Sequence, residues 1–491
     1  MNLKTISIII IFSIACVSSG RVLAEEAPSF VYTLSLDEVS RLALENNFDV
    51  QLAKFDAQIK ATDLDRDQSI FDTVIDAEIK YKNDQFKQTS SIFGSKSLNN
   101  QYNLGVSKKL PTGTTVDVDF TNDRTWTNSS FATLNPAYDS RAKLGITQDL
   151  GKNFFGLQDR SRIKITKIDI ENAGYTSLDK IEAQLAATQK AYFQVVLALK
   201  SLEIKQEILS QAEELYGLHK DKIQDGLVEE PALLASEANL RQRESDVLLA
   251  KNEVDFSINQ LKFALNLNQG VPDIVPKDGF SATERNAVLD ESLRSAFASR
   301  RDYESAKNSV EAKEIQLVID KNNRWPEINL QATYARNGID SNFSKAMGDI
   351  TSEDNPELYV GFSISIPLEN RLAESGYDKA QLEKAKAILS LKRLERLILT
   401  DLVDRVRDTA IRHERLMKQR TVAEIQESKL KAEEKRFKYG RSDTDTIIRY
   451  QGDALTAKLL AEQAAYEYQL ALIDLSVAEN TLLNKHFEGA L

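Results

Sequence analysis

The chain has 491 residues, 42% apolar and 28% charged, with a formal net charge of −11. At about 150 residues per domain this length suggests roughly three compact domains, but only 9 Pro and 19 Gly punctuate it, which points to very long helices instead. The single cysteine, Cys16, excludes thiolate zinc sites, cysteine nucleophiles and disulfide scaffolds, and the distant His219, His413 and His486 disfavour a histidine-based metal or catalytic cluster.

Lys4, an apolar run from Ile6 to Val17, the small residues Ser18, Ser19 and Gly20, and then Val22-Leu23-Ala24 before Glu25 give the order of a secretory signal peptide over 1–24. Ser13-Ile14-Ala15-Cys16 offers a second reading, a lipoprotein cleavage site that would leave Cys16 acylated. Either way the chain is expected to be exported. Without Lys4 and Arg21, 61 basic residues face 74 acidic ones, a net charge of −13, which makes nucleic acid a poor partner. No later stretch holds 18 consecutive apolar residues, so a spanning helix is not expected, but a transmembrane β-strand needs only about 9 to 11 alternating residues.

Leu36-Asp37-Glu38, Arg41, Ala43, Asp49 and Ala53 recur 253 positions later as Leu289-Asp290-Glu291, Arg294, Ala296, Asp302 and Ala306, part of 13 identities over 46 ungapped positions. A second match, at an offset of 214, pairs Lys222-Ile223-Gln224-Asp225-Gly226 with Arg436-Phe437-Lys438-Tyr439-Gly440. The chain therefore reads as two tandem repeats, 25–268 and 287–485, joined by a linker at 269–286 where Gly270, Pro272, Pro276 and Gly279 cluster. Each half is expected to run helix, strands, long helix, tight turn, long helix.

In the first half, strands are expected over about 73–150. Ile75, Ala77, Ile79 and Tyr81 alternate with charged residues, as do Val116, Val118 and Phe120, and weaker segments run from Tyr102 to Leu110 and from Ala142 to Leu150. Long helices follow over 157–265. Leu178, Ile181, Leu185, Thr188, Tyr192, Val195, Leu199 and Leu202 repeat at spacings of 3 and 4, a coiled-coil-like seam. Tyr192, Phe193 and Tyr216 are read as packing in such a seam rather than a ligand box. The second half repeats this with strands at 327–336 and 357–367 and long helices over 373–484. Alternation of this kind suits either a water-filled membrane barrel or the sheet of a soluble domain.

Taken in this order, the residues resemble the TolC-like outer membrane efflux proteins of Gram-negative bacteria. The resemblance rests on Leu36-Asp37-Glu38 with Ala43-Leu44-Glu45-Asn46-Asn47, on Ala191-Tyr192-Phe193, on Arg301-Asp302 and Trp325-Pro326-Glu327-Ile328, on the strand from Phe362 leading through Pro367 into a helix, and on the two turns marked by Gly226 and Gly440. It implies a mainly α fold with transmembrane β: a homotrimer in which four strands per protomer make one twelve-stranded barrel and the helices make a periplasmic tunnel. It further implies docking to a periplasmic adaptor and to an inner-membrane pump or ABC transporter, contact with outer membrane lipid, no cofactor, and a passive conduit for efflux or type I secretion rather than an enzyme. One departure is the extra strand pair from Tyr102 to Thr121. Six strand segments per protomer would make eighteen in a trimer, whereas twelve would leave this hairpin over the mouth or outside the wall.

A second departure lies at the turns. The family's constricting aspartates, six and nine positions after the second turn glycine, are Thr446 and Arg449 here. Glu229, Glu230, Asp443 and Asp445 lie close to the turn glycines instead and are the candidate constriction and selectivity residues of the periplasmic tip, although acids in a helix's first turn also complement its dipole. Trp325 suits either an interfacial belt or a packed core position. Lys429 to Lys438 is read as a solvated helix face near the tip. A periplasmic coiled-coil adaptor and an exported enzyme on a helical scaffold are the alternative readings; two helix-pair repeats with strands between them weigh against the first, and no catalytic constellation supports the second.

Overall fold

A computed structural model describes residues 32–485 except 88, 90, 91, 93, 225–228, 269, 271, 272, 282 and 286. The expected leader 1–24 with Cys16, the turn glycine Gly226 and His486 lie outside the described residues. In chain order the elements are β1 (Tyr32–Leu34), α1 (Leu36–Asn46), α2 (Phe48–Ala61), α3 (Asp63–Gln68), β2 (Thr73–Asp84), β3 (Ser97–Lys109), β4 (Thr114–Thr127), β5 (Ala137–Asp149), α4 (Leu157–Gln224) and α5 (Glu230–Ala264). They continue with β6 (Ile274–Pro276), α6 (Leu289–Ser299), α7 (Arg301–Asn323), β7 (Glu327–Asp340), α8 (Phe343–Ser352), β8 (Pro356–Ser365), α9 (Arg371–Lys438) and α10 (Thr444–Ala478).

The two halves use helices of equal length. α4 and α9 each run 68 residues and α5 and α10 each run 35, so the longer pair extends about 100 Å at 1.5 Å per residue. α5 returns along α4 and α10 along α9, while α1 to α3 continue along α4 and α6 and α7 along α9. α1 starts on a capping box in which Glu38 N–H donates to Ser35 Oγ (3.3 Å) and Ser35 N–H donates to Glu38 Oε2 (2.7 Å). That backbone bond, with the Lys277 ammonium, holds the Glu38 carboxyl down to about 2.

The main core lies chiefly within the first half and the linker, with Ile473, Leu482 and Leu483 joining it from the second. Ile181, Leu185, Tyr192 and Val195 of the 3-and-4 seam are buried against Val39 and Ala43 of α1, Val50 of α2, Val254, Ile258 and Leu261 of α5, and Ile274 of β6. Tyr192 and Phe193 are thus packing residues, and Tyr192 Oη also donates to the Leu34 carbonyl (3.1 Å) and accepts from Asp278 N–H (3.1 Å). The expected linker is not loose along its length. β6 pairs in parallel with β1, and Arg285 is held by Glu479 (2.7 Å) while its N–H donates to Tyr468 Oη (3.0 Å).

One buried carboxylate joins three parts of the chain. Glu182 on α4, only 1% exposed, accepts from Arg301 Nη1 (2.6 Å), Asn480 Nδ2 (2.5 Å), Leu482 N–H (2.9 Å) and Leu483 N–H (3.2 Å). It ties α4 to the start of α7 and to the segment after α10.

The remaining six strands form one antiparallel meander in the order β2-β3-β4-β5-β7-β8. The resemblance implied four strands per protomer; the structure has six, because β3 and β4 pair along their whole lengths with their neighbours instead of lying apart. The turn between them sits on the first residues of α4. A Cβ on Gly113 would meet Gly156 N at 2.5 Å, and one on Gly156 would meet the Pro111 carbonyl oxygen at 2.2 Å, with both glycines at positive φ. Lys109 adds an ion pair to Asp159 (2.7 Å). The helix α8 has no counterpart in the sequence reading; it packs on β5 and β7, burying Ala346 and Ile350 where Gly338 leaves room.

Glu182→Ala would leave the Arg301 guanidinium and two backbone N–H groups without their buried acceptor. A loss of about 3–5 kcal/mol is expected from removing one partner of a buried charged pair, read as a lowered thermal unfolding midpoint of the detergent-solubilised protein. Asp56→Ala, which removes an exposed pair with Lys180 (2.7 Å), should change it little.

Candidate functional site

Two places stand out by their side-chain chemistry: the faces of the six-stranded sheet and the tip where the helical hairpins turn. Strand register places Ile75, Val106, Val118, Leu144, Tyr334 and Leu358 in one row across all six strands. Neighbouring rows on that face carry Ala77, Leu104, Phe120, Ala142 and Arg336, and Thr73, Lys108, Val116, Ile146, Ala332 and Val360, so the face is mainly apolar with two basic residues. The opposite face begins with Asp76, Gly105, Asp119, Lys143, Ala335 and Glu357, followed by Glu78, Asn103, Thr121, Arg141 and Asn337. One face is mainly apolar and the other charged because side chains alternate along every strand and the register never slips by one.

Within the chain, α8 covers this face only at its far end, over Ser140 and Gly338; the apolar rows themselves have no core beneath them. Ile75, Ile79, Leu358, Val360 and Phe362 are more than 60% exposed, which in water would be an aggregation surface. From Leu358 in β8 to Ile366 just past its end, alternating apolar positions run about 26 Å at 3.3 Å per residue. Trp325, at the helix-to-strand junction, is 62% exposed, so it is not a packed core tryptophan. Among the described residues no helix is long and apolar enough to cross a membrane.

At the opposite end of the long helices, α9 stops in a Schellman motif: Arg441 N–H donates to the Arg436 carbonyl (2.9 Å) and Gly440 N–H to that of Phe437 (2.9 Å). Gly440 has φ +66°, a left-handed conformation that favours glycine. Asp443 then caps α10, accepting from Thr446 N–H (2.7 Å) and Thr446 Oγ1 (3.0 Å). The Thr446 backbone bond holds the Asp443 carboxyl below its usual range. Glu229 is the N-terminal flanking residue of α5, without a side-chain capping bond, and Pro231 occupies its first turn.

Glu229, Asp443 and Asp445 line one cavity of about 500 Å³ between the hairpin tips, together with His219, Lys222 and Phe437. Glu230 is exposed and not part of that lining. The four acids of the sequence reading are therefore three cavity residues and one outlying residue, with Asp443 already engaged as a cap. Thr446 and Arg449 lie on the first turns of α10, where Arg449 stacks over the Tyr450 ring (5.4 Å). Among the described residues no three His, Asp or Glu side chains converge as a metal site.

His219 is the tip residue that the sequence does not single out. It lies on α4, 1% exposed, with Nε2 3.1 Å from Thr444 Oγ1 and its ring edge-on to Phe437 at 5.9 Å. It thereby joins the first hairpin to both helices of the second. Its Nδ1 has no partner, and burial, with the nearby Lys222 charge, lowers its pKa. Sequence spacing gives no hint of the contact, since His219 and Thr444 are 225 positions apart.

No protein-family model and no curated protein matches the chain. Among solved structures, the outer-membrane channel OprN matches with a TM-score of 0.69 at 16% identity, covering 91% of this chain and 90% of that one. The CmeC outer membrane channel of Campylobacter jejuni matches with 0.65 at 16% identity, covering 91% and 85%. The outer membrane protein VceC of Vibrio cholerae matches with 0.67 at 13% identity, covering 91% and 96%.

Two outcomes follow from the tip geometry. His219 has a lower proton affinity folded than unfolded, so its contact is at full strength above the unfolded pKa of about 6.5 and weakens as pH falls below it. Amide exchange protection in 216–222 and 436–446 should drop between pH 7.5 and 5.5 in the native protein and lose that dependence in His219→Leu. Gly440→Ala forces a side chain into the left-handed region and should destabilise the α9–α10 turn by about 1–2 kcal/mol, read as faster exchange at Arg441.

Across nine-tenths of its length, with long paired helices at one end and an antiparallel sheet at the other, the chain has the fold of the outer membrane channel proteins.

Proposed function

We propose that this protein is the outer membrane channel subunit of an export system, a passive conduit from the periplasm or an inner-membrane pump to the exterior. The observation that carries the reading is the sheet: one face is mainly apolar and, away from α8, uncovered, the other is charged, and it stands at the end of helices about 100 Å long. A sheet of this kind suits lipid outside and water inside. Its likeness in fold to several outer membrane channels supports the same conclusion. The mature chain is taken to be an exported homotrimer, built from two tandem repeats, with its helices in the periplasm and its sheet in the outer membrane.

A conduit has no energy source of its own, so transport energy comes from partners: a periplasmic adaptor with either a proton-driven pump or an ABC transporter. The exposed charged run Lys429 to Lys438, next to the α9–α10 turn, is the proposed adaptor surface, with ion pairs such as Lys431–Glu427 (2.5 Å) and Arg436–Glu433 (3.0 Å) leaving Lys435 and Lys438 on its surface. Glu229, Glu230, Asp443 and Asp445, repeated about a threefold axis, would supply an acidic ring at the tip that favours cations. Gly440 is the turn glycine next to it in the second half; Gly226, its counterpart in the sequence, lies outside the described residues.

Outer membrane fractionation tests the reading directly: the protein should be extracted by detergent as an oligomer and conduct ions in planar bilayers. Recovery in the soluble periplasmic fraction would refute it. In the combined variant Glu229→Gln, Glu230→Gln, Asp443→Asn and Asp445→Asn, the Asn at 443 retains the cap. The cation-to-anion permeability ratio of this variant should fall several-fold, and an unchanged ratio removes the ring.

A further inference from the structure

Resting on the channel reading, we infer that the β3–β4 hairpin is part of the lipid-facing wall, and that β8 of one copy pairs with β2 of the next to close a barrel of eighteen strands from three copies.

Three observations converge on this. The hairpin's apolar side chains Leu104, Val106, Val116, Val118 and Phe120 fall in the same three rows as Ile75, Ala77, Ala142, Leu144, Ile146, Ala332, Tyr334, Leu358 and Val360 without a break in register, and Lys108 and Arg336 are the charged residues in those rows. A hairpin folded into the lumen, or lying over the mouth, would not need an apolar face matched to its neighbours. Its turn is also anchored on the start of α4, through Gly113 against Gly156 and the Lys109–Asp159 pair. This fixes the hairpin at the helical end of the sheet, as for the other strands.

The third observation concerns the two edges. β2 and β8 each pair on one side only within the sheet. In lipid their free N–H and C=O groups must be satisfied, and six strands are too few to close on themselves. The meander has an even number of strands, so β2 leaves the helices and β8 returns to them. β8 of one copy is therefore antiparallel to β2 of the next, and the apolar rows of the two edges join on one side of the wall. The partner is a further copy of this chain.

The widths agree. Strands 4.8 Å apart, tilted by about 40°, each occupy about 6.3 Å of circumference, so six strands span about 38 Å. At the sheet end four helices, α3, α4, α7 and α9, lie in that contact order and span about 32–40 Å at 8–10 Å between axes. Four strands would span only about 25 Å. Three copies then close a backbone cylinder about 36 Å across, against about 24 Å for twelve strands.

Single cysteines in the full-length chain, labelled in intact outer membranes with a membrane-impermeant maleimide, test this, with the native protein as the blank for Cys16. Leu104→Cys and Val118→Cys should be protected like the β7 reference Tyr334→Cys. Asn103→Cys and Thr121→Cys should react like Thr333→Cys. If the two apolar-face hairpin cysteines react while Tyr334→Cys stays protected, the hairpin lies outside the wall and the proposal is wrong. If Tyr334→Cys reacts as well, the sheet is not in lipid and the channel reading fails with it. Electron microscopy of the detergent-extracted oligomer should show eighteen strands in section; twelve would overturn the proposal even if the labelling pattern held.

Discussion

If the sheet lies in a membrane, as proposed, every backbone N–H and C=O in it must be paired, and the rest of the architecture answers to that condition. Each strand from β3 to β7 is paired on both sides, so the main deficit falls on the outer edges of β2 and β8. In lipid those edges call for a further copy of the chain. Register keeps the two faces in step over six strands: a slip of one residue would put Asp119 and Lys143 on the apolar face and Val118 and Leu144 on the charged one.

The helical part solves a different problem, holding two halves of one chain in fixed relation. Apolar packing alone does not specify register along parallel rods, because a seam of Leu and Ile can slide by a heptad. Polar contacts supply what the seam lacks. Glu182 gathers donors from α7 and from the segment after α10, Lys190 and Arg405 converge on Asp474, and Asn239 donates to Gln451 between α5 and α10 (3.3 Å). Each lies between elements far apart in sequence, and each is satisfied in one alignment only.

Much of this was legible in the sequence. The 3-and-4 spacing through Ile181, Leu185 and Val195 locates the buried seam, and strict alternation locates the strands, since both patterns record which side chains leave water. The missed elements have weak local signals. α8 has only Phe343, Ala346, Met347 and Ile350 on one face of ten residues, and β6 is three residues among prolines and glycines. At the tip, the acids are visible as first-turn residues, but their division into three that share a cavity and one that does not depends on how two hairpins meet. His219 shows the same limit: a lone histidine in a charged helix looks unremarkable until Thr444 and Phe437 close over it.

The equal helix lengths in the two halves make the helical part a ruler. α4 and α9 match at 68 residues and α5 and α10 at 35, so both tips stand level at one distance from the sheet. Losing a single residue from α4 alone would withdraw its tip by 1.5 Å and rotate it by about 100°, parting His219 from Thr444. Length can therefore change only in whole superhelical repeats and in both halves together. The helical part offers no adjustable length of its own.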